Sequence, residues 1–378
     1  MSIYVSGTGL TKVAEHWSDS LIDLAVKSAQ QAISESNTSP DAVIIGNMLS
    51  STSNQENLGG IISEKLGLDD ISTFKIESSS CSGAMALNVA YNLLHSNDID
   101  SILVVGVEKM TDLSPSQIIR ANTFGESSEY IQYFGITMNS LYALFSKLYM
   151  EKYNISKEEL SHFPVLSHKN SVSCKHAQFR KEFSIESISK ASIVSSPLGL
   201  LDCSPIGDGS ASVILSKENK SNFDNIEVLA SSSSNSPVNF FEREDMLKFS
   251  STKNSFTKAL SNSKKQLSDI DILEIHDVVP AITARILETF GFSKNGKAVH
   301  DLISGKYALN SKPSISTCGG LKARGNPLSA TGLYQIIETT WQLQNRSESN
   351  EYSPTIGLCH NMSGIDSNSV VTILEAVN

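Results

Sequence analysis

The order of elements along this 378-residue chain repeats. An Asp-containing turn precedes a short apolar run twice, at Pro40-Asp41-Ala-Val-Ile-Ile-Gly-Asn47 and at Ile270-Asp271-Ile-Leu-Glu-Ile-His276-Asp277. Each run is followed by a helical pattern that ends near a glycine: Leu58–Leu66 before Gly67, and Ala281–Phe290 before Gly291. A strand then enters a small-residue elbow and a helix. In the first half this elbow is Ser78-Ser-Ser-Cys81-Ser-Gly-Ala84; in the second it runs from Thr317-Cys318-Gly-Gly320 through Arg324-Gly-Asn326-Pro-Leu-Ser-Ala-Thr-Gly332. A last apolar run closes each half, Leu103–Met110 and Thr355–Met362. The order repeats more clearly than the residues do. Two homologous halves packed together satisfy this pattern. Alternating strands and helices argue for an α/β fold with strands covered by helices on both sides.

The expected division places residues 1–235 in the first half and 236–378 in the second. The stretch from about Pro115 to Val194 interrupts the repeat. It holds helical patterns at Ser140–Tyr153 and Ser156–Lys169, the latter opening on the capping pair Ser156 and Glu159. It reads as an insertion in the first half, a lid. The Ser/Asn-rich piece Lys217–Asn235 reads as the connection between halves.

Charge excludes one class of function. Lys plus Arg number 30 against 40 Asp plus Glu, a formal charge of −10. An acidic chain without a basic run lacks the phosphate contacts that carry nucleic-acid affinity. No stretch approaches the roughly 20 apolar residues that span a bilayer, so no membrane partner is expected. The start, Met-Ser-Ile-Tyr-Val-Ser-Gly7, has no cationic region before an apolar one, so no signal peptide is expected. Cys81, Cys174, Cys203, Cys318 and Cys359 are an odd set without paired spacing. They read as reduced cytoplasmic thiols, and no pair has zinc-ligand spacing, so no metal is expected.

Cys81 is the strongest chemical signal. It follows a strand and opens a helix, where unpaired N–H groups and the macrodipole lower a thiol's pKa. His276, before Asp277, closes a predicted strand, and strand ends in α/β proteins face the ligand crevice. Asn326, in Gly325-Asn326-Pro327, is the counterpart of Cys81 in the repeat. Cys359 and His360 end a repeat strand. Asp208 reads as a turn former before a strand, and His168 as a solvated histidine at a helix end.

Four blocks together resemble the thiolases: Ser80-Cys81-Ser-Gly-Ala-Met-Ala86, Val105-Gly-Val-Glu-Lys-Met110, Asp202-Cys-Ser-Pro-Ile-Gly-Asp-Gly-Ser-Ala211 and Gly319–Gly332. The resemblance runs nearly end to end. It is nearest the archaeal and sterol-carrier-protein-type branch, which has His-Asp where other thiolases have Asn-Glu. It implies two βαβαβαββ units, a five-layered α/β/α/β/α core, a lid insertion and a homodimer or homotetramer. It implies coenzyme A thioesters as substrates and no tightly bound cofactor; the residues that contact coenzyme A are not identified. Cys81 matches the nucleophile that takes the acyl group as a thioester. His276 matches the His of the His-Asp motif, near the second oxyanion position.

The main departure is Asn326, which stands where thiolases have the His of Gly-His-Pro. Cys359 falls near the usual second Cys, the acid/base for the α-carbon. In the sterol-carrier-type branch that Cys follows His-Asp, and here the place is Val278. The implied activity is condensation of two acetyl-CoA to acetoacetyl-CoA, or thiolysis of a 3-ketoacyl-CoA, with His276 and Cys359 moving protons. The set Cys81, His276, Asn326 also resembles the condensing enzymes HMG-CoA synthase and some ketoacyl synthases. A non-catalytic acyl-CoA-binding subunit is the other alternative. Archaeal relatives imply HMG-CoA synthase and a small zinc-ribbon/OB-fold protein as partners.

Overall fold

The computed structural model describes residues 1–96, 98–347 and 353–377. Strands β1 (Tyr4–Leu10), β2 (Ala42–Gly46), β3 (Ser72–Ile76), β4 (Ser101–Glu108) and β5 (Gly209–Ser216) build the first half. The second half has β6 (Asn225–Asn235), β7 (Ile272–Glu274), β8 (Ser314–Ile315), β9 (Ile356–Ser363) and β10 (Asn368–Val377). Across the sheet the order is β8-β7-β9-β10-β6-β1-β5-β4-β2-β3. Counted outward from the centre, each half gives its first, fifth, fourth, second and third strand. The repeat read from sequence is therefore a repeat of topology.

Within each half the second strand is parallel to the third and the fourth, and the fifth is antiparallel to the fourth and the first. The halves join where Tyr4 pairs with Glu227 and the Val228 N–H donates to Ile3 O at 2.8 Å.

The strands are short and apolar, as buried parallel strands must be. β2 is Ala-Val-Ile-Ile-Gly and buried throughout. Helices α1 (Leu21–Ser36) and α2 (Leu58–Leu66) cover the outer face of the first half, packing Leu24, Ala25 and Ile62 on Val43, Ile45 and Val105. Helices α3 (Ser82–Leu94) and, in the second half, the helix Thr331–Leu343 lie at the centre and touch strands of both halves. Every residue of Thr331–Leu343 except Trp341 is buried, which marks a helix covered on all sides. A Cβ on Gly83 would run into Ser329 O, so only glycine permits this approach of the two halves.

In the insertion, α4 is Met138–Tyr153 and α5 is His162–Asn170. α6 (Ser250–Ser263) and α7 (Pro280–Phe290) form the outer layer of the second half, and the central helix Thr331–Leu343 is α8. The layers are helix, sheet, helix, sheet, helix, as the resemblance implies.

Three local expectations change. The single helix expected over Ser156–Lys169 is split into Lys157–Leu160 and α5. Pro164 has no N–H for the carbonyl of Leu160, so one continuous helix would lose that bond. The Ser/Asn-rich connection ends earlier, because Asn225–Asn235 is strand β6, paired along its length with β10. We therefore propose that the halves divide before Asn225, in the loop 217–224, and not at 235/236. His168 is buried, with its ring edge-on to Phe183 at 4.7 Å, and not solvated.

Candidate active site

β3 ends at Ile76 and the chain turns through three serines into α3. Ser79 has φ of 52°, and Cys81, the N-cap residue, sits at φ −100°, ψ 14°. That is the sparsely populated bridge region, where turn and active-site residues are found. The turn holds itself: Cys81 N–H donates to Ser78 O at 3.1 Å, Ser78 N–H to Ser82 Oγ at 2.9 Å, and Ser82 Oγ–H to Ser79 O at 2.6 Å. The second half then closes on it through the end of β9. Ser80 Oγ donates to Met362 O at 3.1 Å, Cys81 N–H to Ser363 Oγ at 3.3 Å, and Ser363 Oγ to Ser78 O at 2.5 Å.

The Cys81 thiol is fully buried, 3.7 Å from Ser78 Oγ. Its pKa is not lowered as the helix terminus alone predicts. Burial pushes the thiol up to about 11, outweighing the hydrogen bonds of Ser363 and Ser78. The resting group is a protonated thiol that needs a base.

A cavity of about 100 Å³ borders this elbow, lined by Ser79, Ser80 and Gly364 but not by Cys81 itself. His276, Val278, Asn326, Glu126 and Tyr142 also line it. His276 lies two residues past β7. Its neighbour Asp277 anchors that turn, accepting from Leu321 N–H at 2.7 Å and Ser316 Oγ at 2.9 Å. Burial pushes the Asp277 carboxyl up to about 6. His276 Nδ1 faces Asn361 Nδ2 at 3.1 Å. Burial, with the Arg324 charge adding to it, pushes the imidazole down to about 3, so it is neutral. Asn326 is held by Thr331 Oγ1, which donates to its Oδ1 at 2.9 Å, and its Nδ2 donates to Ser204 Oγ at 3.3 Å. His276 and Asn326 thus both line the cavity, and each carries a neutral N–H group.

Cys359 is not brought to this cavity. Successive side chains on a strand face opposite ways. Cys359 faces α8, with Sγ 3.1 Å from Thr339 Oγ1 and 3.4 Å from Gln335 O, and burial raises its pKa. His360 faces the other way, with Nε2 3.1 Å from Thr252 Oγ1. Asp208 is more than a turn former: buried, it accepts Met110 N–H at 2.7 Å, Thr111 N–H at 3.0 Å and His16 N–H at 3.1 Å.

The residues that sequence reasoning missed are Asn361, Ser363 and Glu126. Asn361 and Ser363 follow Cys359 at two and four residues on the same face of β9, but only the packing shows that they, and not Cys359, reach His276 and the elbow. Glu126 lies in the insertion without any motif. Its carboxylate presses on Gly364, where a Cβ would collide with Glu126 Oε1. Burial pushes Glu126 up to about 7, with Arg243 acting against the shift.

Two family models match the chain: "Thiolase, N-terminal domain" over residues 5–219 and "Thiolase C-terminal domain-like" over residues 232–376. The acetyl-CoA acetyltransferase of Methanothermobacter thermautotrophicus is 30% identical over 99% of each chain. Sterol carrier protein 2 of Bos taurus is 28% identical, over 99% of this chain and 72% of that one. Among solved structures, the Ltp2–ChsH2(DUF35) aldolase superposes with a TM-score of 0.87 at 16% identity, over 99% of this chain and 98% of that one. Human mitochondrial 3-ketoacyl-CoA thiolase in complex with CoA gives 0.77 at 16% identity, over 100% and 98%. The structural likeness is one of fold. With both domain models matched in order around a cysteine elbow shared by two repeated halves, the chain belongs to the thiolase family of acyltransferases, in the branch of its archaeal and sterol-carrier-type members.

Proposed function

We propose that the chain joins two acetyl-CoA into acetoacetyl-CoA and CoA, and runs the reverse thiolysis, through an acyl thioester on Cys81. The observation that carries this is the elbow: Cys81 is buried in it, and its neighbours Ser79 and Ser80 line a cavity that His276 and Asn326 line as well. The Cys81 thiolate attacks the acyl carbonyl, and CoA leaves as its thiol. The oxyanion formed on the way is stabilised by His276 Nε2–H and Asn326 Nδ2–H. A second acetyl-CoA loses an α-proton, and its carbanion attacks the thioester and frees Cys81.

The proton transfers need a group that titrates near neutral pH. The resemblance gave them to Cys359 or His276. Cys359 faces α8, and His276 holds its proton on Nε2. We assign them to Glu126, whose carboxyl lines the cavity and is shifted by burial to about 7. The loop that carries it lies against the elbow, since a Cβ on Gly125 would meet Ser79 Oγ. Acyl-CoA would reach the sulfur when this loop shifts.

A second reading keeps the fold and changes the substrate. Two neutral donors, His276 and Asn326, suit an enzyme that forms its carbanion by decarboxylation, so malonyl-CoA is the alternative donor. Assembly is proposed as a homodimer or homotetramer. β3 is one of the two outermost strands and among the described residues pairs only with β2, and open edges are normally paired or covered. HMG-CoA synthase and a small zinc-ribbon/OB-fold protein are the proposed partners, and a cytoplasmic location is proposed from five free thiols. No helix among the described residues is long and apolar enough to cross a membrane.

The test is direct. Acetyl-CoA should add one acetyl group to the peptide containing Cys81, and acetoacetyl-CoA plus CoA should be cleaved. Cys81→Ser should abolish both and leave the fold intact. Turnover with malonyl-CoA alone selects the decarboxylating reading. No acylation and no turnover with either substrate would leave a binding subunit.

A further inference from the structure

We propose that Cys174, His176, Cys318 and Glu338 form a structural zinc site. Among the described residues these four buried side chains converge, each with one donor atom, and all four atoms lie within 4.8 Å of one another. Cys174 Sγ is 3.3 Å from His176 Nε2, which is 2.7 Å from Glu338 Oε1. They come from three places. Cys174 and His176 are on the loop after α5, Cys318 precedes the turn that leads to Asn326, and Glu338 is on α8.

The dimensions fit a tetrahedral ion. Donors about 2.0–2.3 Å from zinc stand about 3.3–3.8 Å apart, so the wider pairs close by about 1 Å and the His–Glu pair opens slightly. Two thiolates, an imidazole and a carboxylate suit zinc and not magnesium or calcium, which take oxygen shells. Four protein donors fill the shell and leave no open position, the mark of a structural site.

The surroundings complete it. Arg324 Nε lies 3.2 Å from Glu338 Oε1, an ion pair that sets a positive charge beside the carboxylate. The charges balance: two thiolates and one carboxylate against a divalent ion and the Arg324 guanidinium. On binding, both thiols lose their protons to solvent, and His176 ligates through Nε2 with its proton on Nδ1. A neighbouring cavity of about 280 Å³, bordered by Cys174, His176, Cys318, Trp341 and Arg346, gives an ion a route in.

The ion would brace the active site from behind. The loop after α5 already bonds the strip that carries Asn326, through Gln178 N–H to Arg324 O at 2.9 Å and Phe179 N–H to Ala323 O at 3.0 Å. Zinc would pin the same two segments a few residues away.

The experiment uses the full chain, reduced, stripped with a chelator and given zinc chloride. One zinc per chain should survive gel filtration, measured by elemental mass spectrometry. Alkylation of Cys174 and Cys318 by iodoacetamide, read by peptide mass spectrometry, should fall by about ten-fold or more on ligation. Cobalt in place of zinc should give thiolate-to-cobalt absorption and the visible bands of a tetrahedral ion. The Cys174→Ser/Cys318→Ser double variant should retain no ion, and Cys203→Ser should retain one. The alkylation arm needs no variant, so a folding failure does not protect the idea. No zinc on the reduced wild-type chain overturns it, as does unchanged alkylation or zinc retained by the double variant.

Discussion

Asn361 donates its amide Nδ2–H to His276 Nδ1 at 3.1 Å. The same amide reaches Gln335 Oε1 at 3.3 Å, and Gln335 in turn donates to the carbonyl of His360 at 3.1 Å. This chain of amides fixes the tautomer: with Nδ1 accepting, the ring proton sits on Nε2. Burial keeps the imidazole neutral. His276 therefore carries its one ring proton on Nε2 in the resting site, as the proposed oxyanion role requires.

The two donors can be tested against that role. His276→Ala and Asn326→Ala should each lower kcat by about 10²–10³, as loss of one oxyanion donor does. The pH profile of His276→Ala should keep the shape of the parent's. A lost acid limb in that variant would show that His276 is the base. Asn326→His, which restores the residue usual in the family, should keep or raise thiolysis.

Glu126→Gln should cut kcat by about 10²–10⁴, the range for a general base. The parent's rate should fall as pH drops through about 7, where the Glu126 carboxylate is protonated. Stability should move the other way. Burial raises the pKa on folding from 4.5 to about 7, so the native state prefers the neutral acid. Its contribution is present at pH 4 and is lost as pH rises through that window. Glu126→Gln should therefore leave Tm unchanged at pH 4–5 and raise stability at pH 8 by about 1–3 kcal/mol. A variant that is destabilised at pH 8 would mark the carboxylate as a structural partner.

Cys81 should be slow to alkylate. With the thiol at about 11, the thiolate is about one part in 10⁴ at pH 7. Iodoacetamide inactivation should quicken with pH and show no plateau below about pH 10. A plateau near pH 6 would mean a thiolate already stabilised by the helix terminus.

Light scattering at micromolar concentration should give at least twice the 40.9 kDa of one chain. A proline at Phe74, in the outer strand β3, should shift the mass toward the monomer. An active wild-type monomer would remove the dimer from the proposal.

Much of this molecule was legible in the chain itself. The repeated element order, the helices Leu58–Leu66 and Thr331–Leu343, and the elbow at Cys81 follow from local pattern, because hydrophobic period and small-residue turns are written in neighbouring positions. β6 was not legible. Its Ser231-Ser-Ser-Ser-Asn235 end reads as linker, yet Ser231 Oγ meets Thr372 Oγ1 at 3.0 Å and receives Asn88 Nδ2–H at 3.0 Å. α6 escaped for the same reason: Ser251 and Thr252 are buried through bonds to Asp366, not through apolar side chains.

The sequence determined which residue types are present at each turn and strand end, and so the family and the place of the Cys81 elbow. Only the tertiary structure decided which of them meet. On one face of β9, position along the strand set Cys359 against Thr339 of α8 and Asn361 against His276. The insertion brought Glu126 over Gly364. His176 and Glu338, 162 residues apart, came within hydrogen-bond distance in the packed interior. The physical reason is common to all three. Local periodicity records which face of an element is apolar, whereas a site of polar groups depends on register and burial between segments distant in the chain.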